Sequence, residues 1–460
     1  MNPVATPCAA AAAPYRGAAG VRAPGWEASR KPTWSILFAL ATAGAAFAAP
    51  LLTGLTPEGR LTWTGAVHPG ICTVEAASTA HGDWQPLSNV FSLTSTGSFT
   101  VATGSPSCFF RLRTVEVPAT ASGFTQLVHA YGYLETLAGN GAGRVDNTSY
   151  WQPHFEGAPG PFVSLSRPHW ALADRAGNIY IADKNSHAIL RLDTNGTIHT
   201  HAGTHVGGFN GEGPAPATTL QLNAPNALWV RADGTVYVLD TDNARVRRVT
   251  TNGILSTLFN AKADVSTPLG GGRCLWVKDD ETLAYFGNTD RIRKWTPGGG
   301  LANHATGFNE LGCFYVEPDG NLLVADRGAH RVYRVATNGT RVTLAGNGTT
   351  TGGGDGQPAL LTGLPGPRGV WPLPTGGFLL LLHDGAQLWY VDAAGIARLL
   401  VHGTGGNAFV HAGDGEHFYA PDEPRIGEGR SVALDFAGNI LLCESDYGFI
   451  RRIRFQRLPH

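Results

Sequence analysis

The chain has 460 residues, of which 15% are charged and 43% hydrophobic, and its 34 Lys and Arg almost cancel 35 Asp and Glu to leave a net charge of -1. That balance excludes a nucleic-acid binder held by a basic surface, and the hydrophobic share excludes wholesale disorder. With 61 Gly and 29 Pro, the composition favours many short strands and turns over helix bundles.

Residues 1–30 are rich in Ala, Pro and Gly and show no apolar periodicity. Arg30 and Lys31 then precede an apolar run, Trp34 to Ala49, that closes on Ala46-Phe47-Ala48. A basic flank, a short apolar stretch and a small-x-small end are the parts of a secretory signal peptide. The run is short for a membrane span of about twenty residues. Residues 1–49 therefore read as leader and signal, and the rest is expected to be secreted, periplasmic or at the cell surface. Membrane attachment is expected only if the segment is kept as an anchor.

Residues 56–118 alternate in short apolar runs separated by Gly, Ser and Asn, the pattern of a small sandwich-like β module. Export permits disulfides. Cys72 and Cys108 both fall in this module, and a bridge between them would contribute about 3 kcal/mol. Residues 119–126 (ATASGFTQ) read as a linker to the larger domain, residues 127–460. Cys274, Cys313 and Cys443 sit in apolar strand sequences and are expected as buried free thiols.

That larger domain repeats. Six segments superimpose: Pro168 to Asp183, Pro225 to Asp240, Gly272 to Gly287, Leu311 to Asp326, Pro367 to Leu382 and Gly429 to Glu444. Each unit is an apolar run, a turn carrying Gly or Glu, a second run ending in Asp or a substitute, a third run of the type Arg245-Val-Arg-Arg-Val249, and a fourth strand such as Arg341 to Ala345. Four antiparallel strands per unit make the blade of a β-propeller, which covers its faces by stacking on its neighbours. These units resemble NHL repeats, best at Pro168 to Gly203, Pro225 to Leu258 and Leu311 to Ala345. The third copy departs most, and in the fifth His383-Asp384 stands where Asp is usual.

The last unit stops after its third run, and an unclaimed fourth strand, Tyr133 to Gly139, precedes the first. Pairing the two would remove both open edges. The expectation is an all-β chain: a six-bladed propeller closed three-plus-one, preceded by the small β module and a signal segment.

Such a ring places first strands around a central channel, with the residue opening each one at the mouth. Those residues are His169, Asn226, Arg273, Gly312, Arg368 and Arg430. His169, Asn226, Arg273, Arg368 and Arg430 are the candidate ligand-binding set, a positive collar suited to a carboxylate or phosphate. The competing reading is that the arginines pair with acids in neighbouring blades. Long connections, Asn140 to Leu165, His205 to Ala224, Asn347 to Gly366 and His402 to Glu428, add aromatic and His residues on the same face, where binding usually resides. Asp183, Asp240, Asp326 and Glu444 read as turn carboxylates that accept local backbone N–H groups. No metal ligand set, cofactor or catalytic group is expected.

The functional expectation is an exported, non-catalytic binding or scaffold propeller that recognises a protein, a glycan or a small anionic ligand. The alternative is an extracellular lyase or lactonase-like enzyme of the six-bladed class. Its resemblance would require three zinc-binding His at the first-strand openings, and only His169 fits.

Overall fold

The computed structural model describes residues 50–68, 70–80, 84–92, 94–101, 109–117, 122–143, 145–262, 273–374, 376–405 and 409–456. The expected signal segment, residues 1–49, and Cys108 lie outside the described residues. The chain is nearly all β, in small and mostly antiparallel sheets. Among the described residues no helix is long and apolar enough to cross a membrane. Two compact units are present, Met1–Tyr133 with Gly415–His417, and Leu134–Asp414 with Phe418–His460.

In the first unit, Leu51–Leu55, Arg60–Thr64 and Gly97–Thr100 form one three-stranded sheet, and Gln85–Ser92, Gly70–Ala77 and Phe109–Glu116 form a second. Alternation in Arg60–Thr64 turns Leu61 and Trp63 into a core shared with Cys72, Val74, Ala76 and Phe110 of the other sheet. The first strand starts ahead of the expected boundary at residue 56. Its leucines directly follow the apolar signal run, so hydropathy alone does not separate them.

The expected Cys72–Cys108 disulfide is corrected: Cys72 is a buried free thiol with its Sγ 3.0 Å from Ser92 Oγ. Strand register sets Thr114 and Val90 opposite Cys72. Spacing along the chain carries no information about that register. Burial also pushes the Cys72 thiol pKa up, away from reactivity. A helix, Ser122–Ala130, begins inside the expected linker. Phe124, Leu127 and Val128 recur at i, i+3 and i+4 and are buried. Judged by its Ser, Gly and Thr alone, the segment reads as linker.

Among the described residues the second unit contains six sheets, whose first strands are Pro168–Ala173, Pro225–Val230, Arg273–Val277, Leu311–Val316, Pro367–Pro372 and Ser431–Leu434. They are called sheets one to six below. The first strands touch in chain order, and the sixth touches the first. Covered on both faces, they and the second strands read as continuous apolar runs; Ile179–Asp183 and Phe378–Leu382 are buried throughout. In sheet six, Ser431–Leu434, Ile440–Glu444 and Phe449–Phe455 are followed laterally by Tyr131–Ala138.

The glycine after the fourth strand shows why that segment resembles the others. Gly139, Gly203 and Gly346 have φ near +100°, +95° and +93°. A Cβ there would collide with the carbonyl oxygens of Gly448, His187 and His330, each just ahead of a third strand. The same local rule thus operates at the end of Tyr131–Ala138 as in sheets one and four.

Two inserted connections do not remain loops. Ala215–Pro216 adds an antiparallel edge to sheet two, and Ala420–Ile426 adds a parallel fifth strand to sheet five.

Candidate functional site at the first-strand openings

Pairing slips by one residue at the start of several first strands, between Pro168 and Trp170, Pro225 and Ala227, and Pro367 and Gly369. His169, Asn226 and Arg368 are therefore bulge residues, whose side chains leave the regular alternation. In sheet three the slip falls on Cys274, at φ 54°, beside Arg273.

The structure finds carboxylate partners for the collar arginines. Glu310 Oε1 lies 3.3 Å from Arg368 Nη1, 3.7 Å from Arg273 Nη2 and 2.8 Å from Arg327 Nη1. Arg430 donates from Nε to Ser445 Oγ at 2.9 Å and reaches Asp446 Oδ1 at 3.3 Å. Asp446 also takes Arg167 at 3.3 Å. The collar arginines thus share carboxylates, as the competing reading of the sequence expects.

His169 and Asn226 differ. Both are buried, and His169 Nε2 and Asn226 Oδ1 have no hydrogen-bond partner; Arg273 Nε likewise has none. Burial first, then the charges of Arg430, Lys184, Arg273 and Arg368, hold the His169 pKa well below its usual value. Its imidazole is therefore neutral, and three of the five expected ligand residues offer unmatched polar atoms.

The turn carboxylates do more than close local turns. Asp183 Oδ1 accepts from the N–H of Ser166 at 2.7 Å, Asp240 Oδ1 from Asn223 at 2.7 Å, Asp326 from Asn309 at 3.1 Å and Glu444 Oε2 from Gly427 at 2.9 Å. Each donor lies 17 residues upstream, in the connection preceding the same sheet. In sheet five the corresponding residues are Leu382 and Pro365. Proline has no N–H to offer, so no carboxylate is required.

The side chain that takes over the mouth of sheet five is His383, which sequence reasoning did not select. Its Nδ1 is 3.1 Å from Asp384 Oδ1 and 3.6 Å from Glu428 Oε2, and its Nε2 is 3.5 Å from Asp446 Oδ2. Burial foremost lowers its pKa to about 4. The signal available in the sequence was the break in the repeat, Leu382-His383-Asp384 where three other copies end the second strand in Asp and the sixth in Glu.

The aromatic residues of the connections mostly pack against the protein. Phe155, Phe418 and Tyr419 are buried, Trp151 stacks on His205 at 4.3 Å, and His411 stacks on Phe449 at 3.9 Å. Phe209 and Phe409 stay exposed, although Arg245 lies 4.1 Å over the Phe209 ring.

Among solved structures, the chain resembles a Bacteroides thetaiotaomicron protein of unknown function (TM-score 0.53, 12% identity, covering 90% of this chain and 100% of that one). It also resembles auxiliary nutrient binding proteins from Bacteroides thetaiotaomicron (TM-score 0.51, 11% identity) and Bacteroides ovatus (TM-score 0.51, 14% identity), each covering 86% of this chain and 94% of the other. No family model and no curated protein matches the sequence. The fold is of the β-propeller type.

Proposed function

We propose that this chain is an exported, non-catalytic propeller of NHL-type repeats, six-bladed and closed three-plus-one, that binds a small anionic ligand at the mouth formed by its first-strand openings. The observation that carries the reading is the set of buried, unmatched polar atoms, His169 Nε2, Asn226 Oδ1 and Arg273 Nε, beside Arg368 and Arg430. A buried polar atom without a partner costs about 1–3 kcal/mol; a bound carboxylate would relieve it at the N–H groups of His169 and Arg273, and a carboxylic acid or ordered water would donate to Asn226 Oδ1. The paired arginines keep the local field positive without placing bare charges in the protein. A protein or glycan on the long-connection face would use exposed Phe209 and Phe409; the small anion is preferred because the unmatched atoms are buried. Export is supported by the basic flank and apolar run of residues 30–49, and six-fold closure by the contacts of Ser431–Leu434 with Pro168–Ala173.

The test is calorimetric titration of the full chain with malonate and with inorganic phosphate, beside Asn226→Ala and His169→Ala. One site is expected, weakened at least tenfold in both variants while the melting temperature is held. Absence of heat with either probe, or equal affinity in the variants, removes the reading.

A further inference from the structure

We propose that His383, Glu428 and Asp446 form a site for one first-row divalent cation, zinc being the best match, joining sheet five to the connection and turn of sheet six. It uses neither His169 nor Asn226, although Arg430 of the proposed anion mouth contacts Asp446. His383 follows the second strand of sheet five, Glu428 ends the connection into sheet six, and Asp446 lies in the 3-10 turn Ser445–Tyr447. One ligand atom from each lies within 4.8 Å of the others.

The donor geometry fits a cation better than a hydrogen bond. Asp384 contacts the ring at Nδ1 at 3.1 Å, and its carboxylate is ion-paired to Arg327, whose Nη2 lies 2.6 Å from Oδ1. An ionised carboxylate only accepts, so Nδ1 carries the proton and Nε2 of the neutral ring presents a lone pair. That nitrogen is buried and without a hydrogen-bond partner, and it faces Asp446 Oδ2 at 3.5 Å. Two acceptors have converged there with no proton between them.

A tetrahedral ion with ligands at about 2.0–2.1 Å sets neighbouring donors about 3.3–3.4 Å apart, close to the 3.5 Å between His383 Nε2 and Asp446 Oδ2; Glu428, whose Oε2 now lies 3.6 Å from Nδ1, completes a set within 4.8 Å. The Asp384–His383 contact is the outer-sphere carboxylate that orients an imidazole ligand and fixes its tautomer. One imidazole and two carboxylates select a borderline divalent ion over calcium, which prefers oxygen alone. Arg430 and Arg167, which also contact Asp446, lower the affinity without occupying the Nε2 lone pair.

The experiment uses the full chain after chelator treatment, titrated calorimetrically with Zn2+, Mn2+ and Ca2+. Expected are one equivalent of Zn2+ bound more tightly than Ca2+, a rise in melting temperature with Zn2+, and at least tenfold weaker Zn2+ binding in both His383→Gln and Glu428→Gln. The glutamine variants preserve side-chain size, and their melting temperatures without metal report whether they fold. If His383→Gln fails to fold, Glu428→Gln alone decides. No stoichiometric Zn2+ binding by the native chain overturns the site. So does unchanged Zn2+ affinity in a folded variant, which would place the ion on other histidines. A Glu428→Gln chain that is more stable while the native chain binds nothing would identify a shared proton in place of a metal, and also overturns it.

Discussion

Glu135 Oε1 lies 2.7 Å from Arg452 Nε, although 317 residues separate them along the chain. Arg454 reaches the same carboxylate. The strand Tyr131–Ala138 is thereby held beside Phe449–Phe455 by charge as well as by its place in sheet six. Because these side chains are partly exposed, Glu135→Gln is expected to cost no more than about 1 kcal/mol. Backbone pairing carries the larger share, so replacing Leu134 with Pro is expected to cost about 3 kcal/mol or more. Denaturant unfolding of the two variants measures the difference. Equal small effects would mean that the strand contributes little to the sheet.

The 17-residue link between carboxylate and upstream N–H gives a paired prediction. Asp240→Ala strands the N–H of Asn223 and the amide of Asn243, and is expected to cost about 2 kcal/mol. Leu382→Asp creates the repeat consensus where Pro365 has no N–H, and is expected to destabilise by a similar or larger amount. Thermal melts of both decide it. A consensus substitution at 382 that stabilised would refute the reason given for the missing acid.

Asp183 gives a pH prediction. Burial pushes its pKa up to about 7, and its Oδ2 has no partner. The unfolded value is about 3.9, so the folded state binds the extra proton between about pH 4 and pH 7. Stability from this group is therefore greatest at the acid end and falls as pH rises through that window. Asp183→Asn keeps an oxygen for the N–H of Ser166 and removes the titration. The native chain should lose stability relative to Asp183→Asn between pH 4 and pH 7, measured by urea unfolding at each pH. A constant difference would contradict it.

Arg451 is fully buried, yet it donates to the carbonyls of Arg425 and Ala412, each at 2.7 Å, and to Asp414 at 2.6 Å. It fastens the connection that precedes sheet six. Lysine carries one compact ammonium and does not reproduce that fork. Arg451→Lys is expected to cost about 3 kcal/mol and to make residues 404–426 cleavable under limited proteolysis. Cleavage unchanged from the native chain would show that the connection is held by other contacts.

The repeat, and with it the propeller type, was legible because apolar second strands and third runs of the Arg245–Val249 type recur in the same order. The six openings were located for the same reason. What the bulges do there was not legible, since a register slip leaves no mark on apolar periodicity. Nor was the pairing of Arg273 and Arg368 with Glu310, which comes from a connection rather than a repeat position. Cys72 illustrates the same limit in the small module. His383 was visible only as an irregularity, and its significance depends on Glu428 and Asp446 arriving from elsewhere in the chain.

The most direct test of the binding claim is a crystal structure of the full chain grown with malonate. The expected result is a carboxylate at the mouth, within hydrogen-bond distance of His169 Nε2 or Arg273 Nε and beside Asn226. A mouth that holds only water while malonate occupies other surfaces would contradict it.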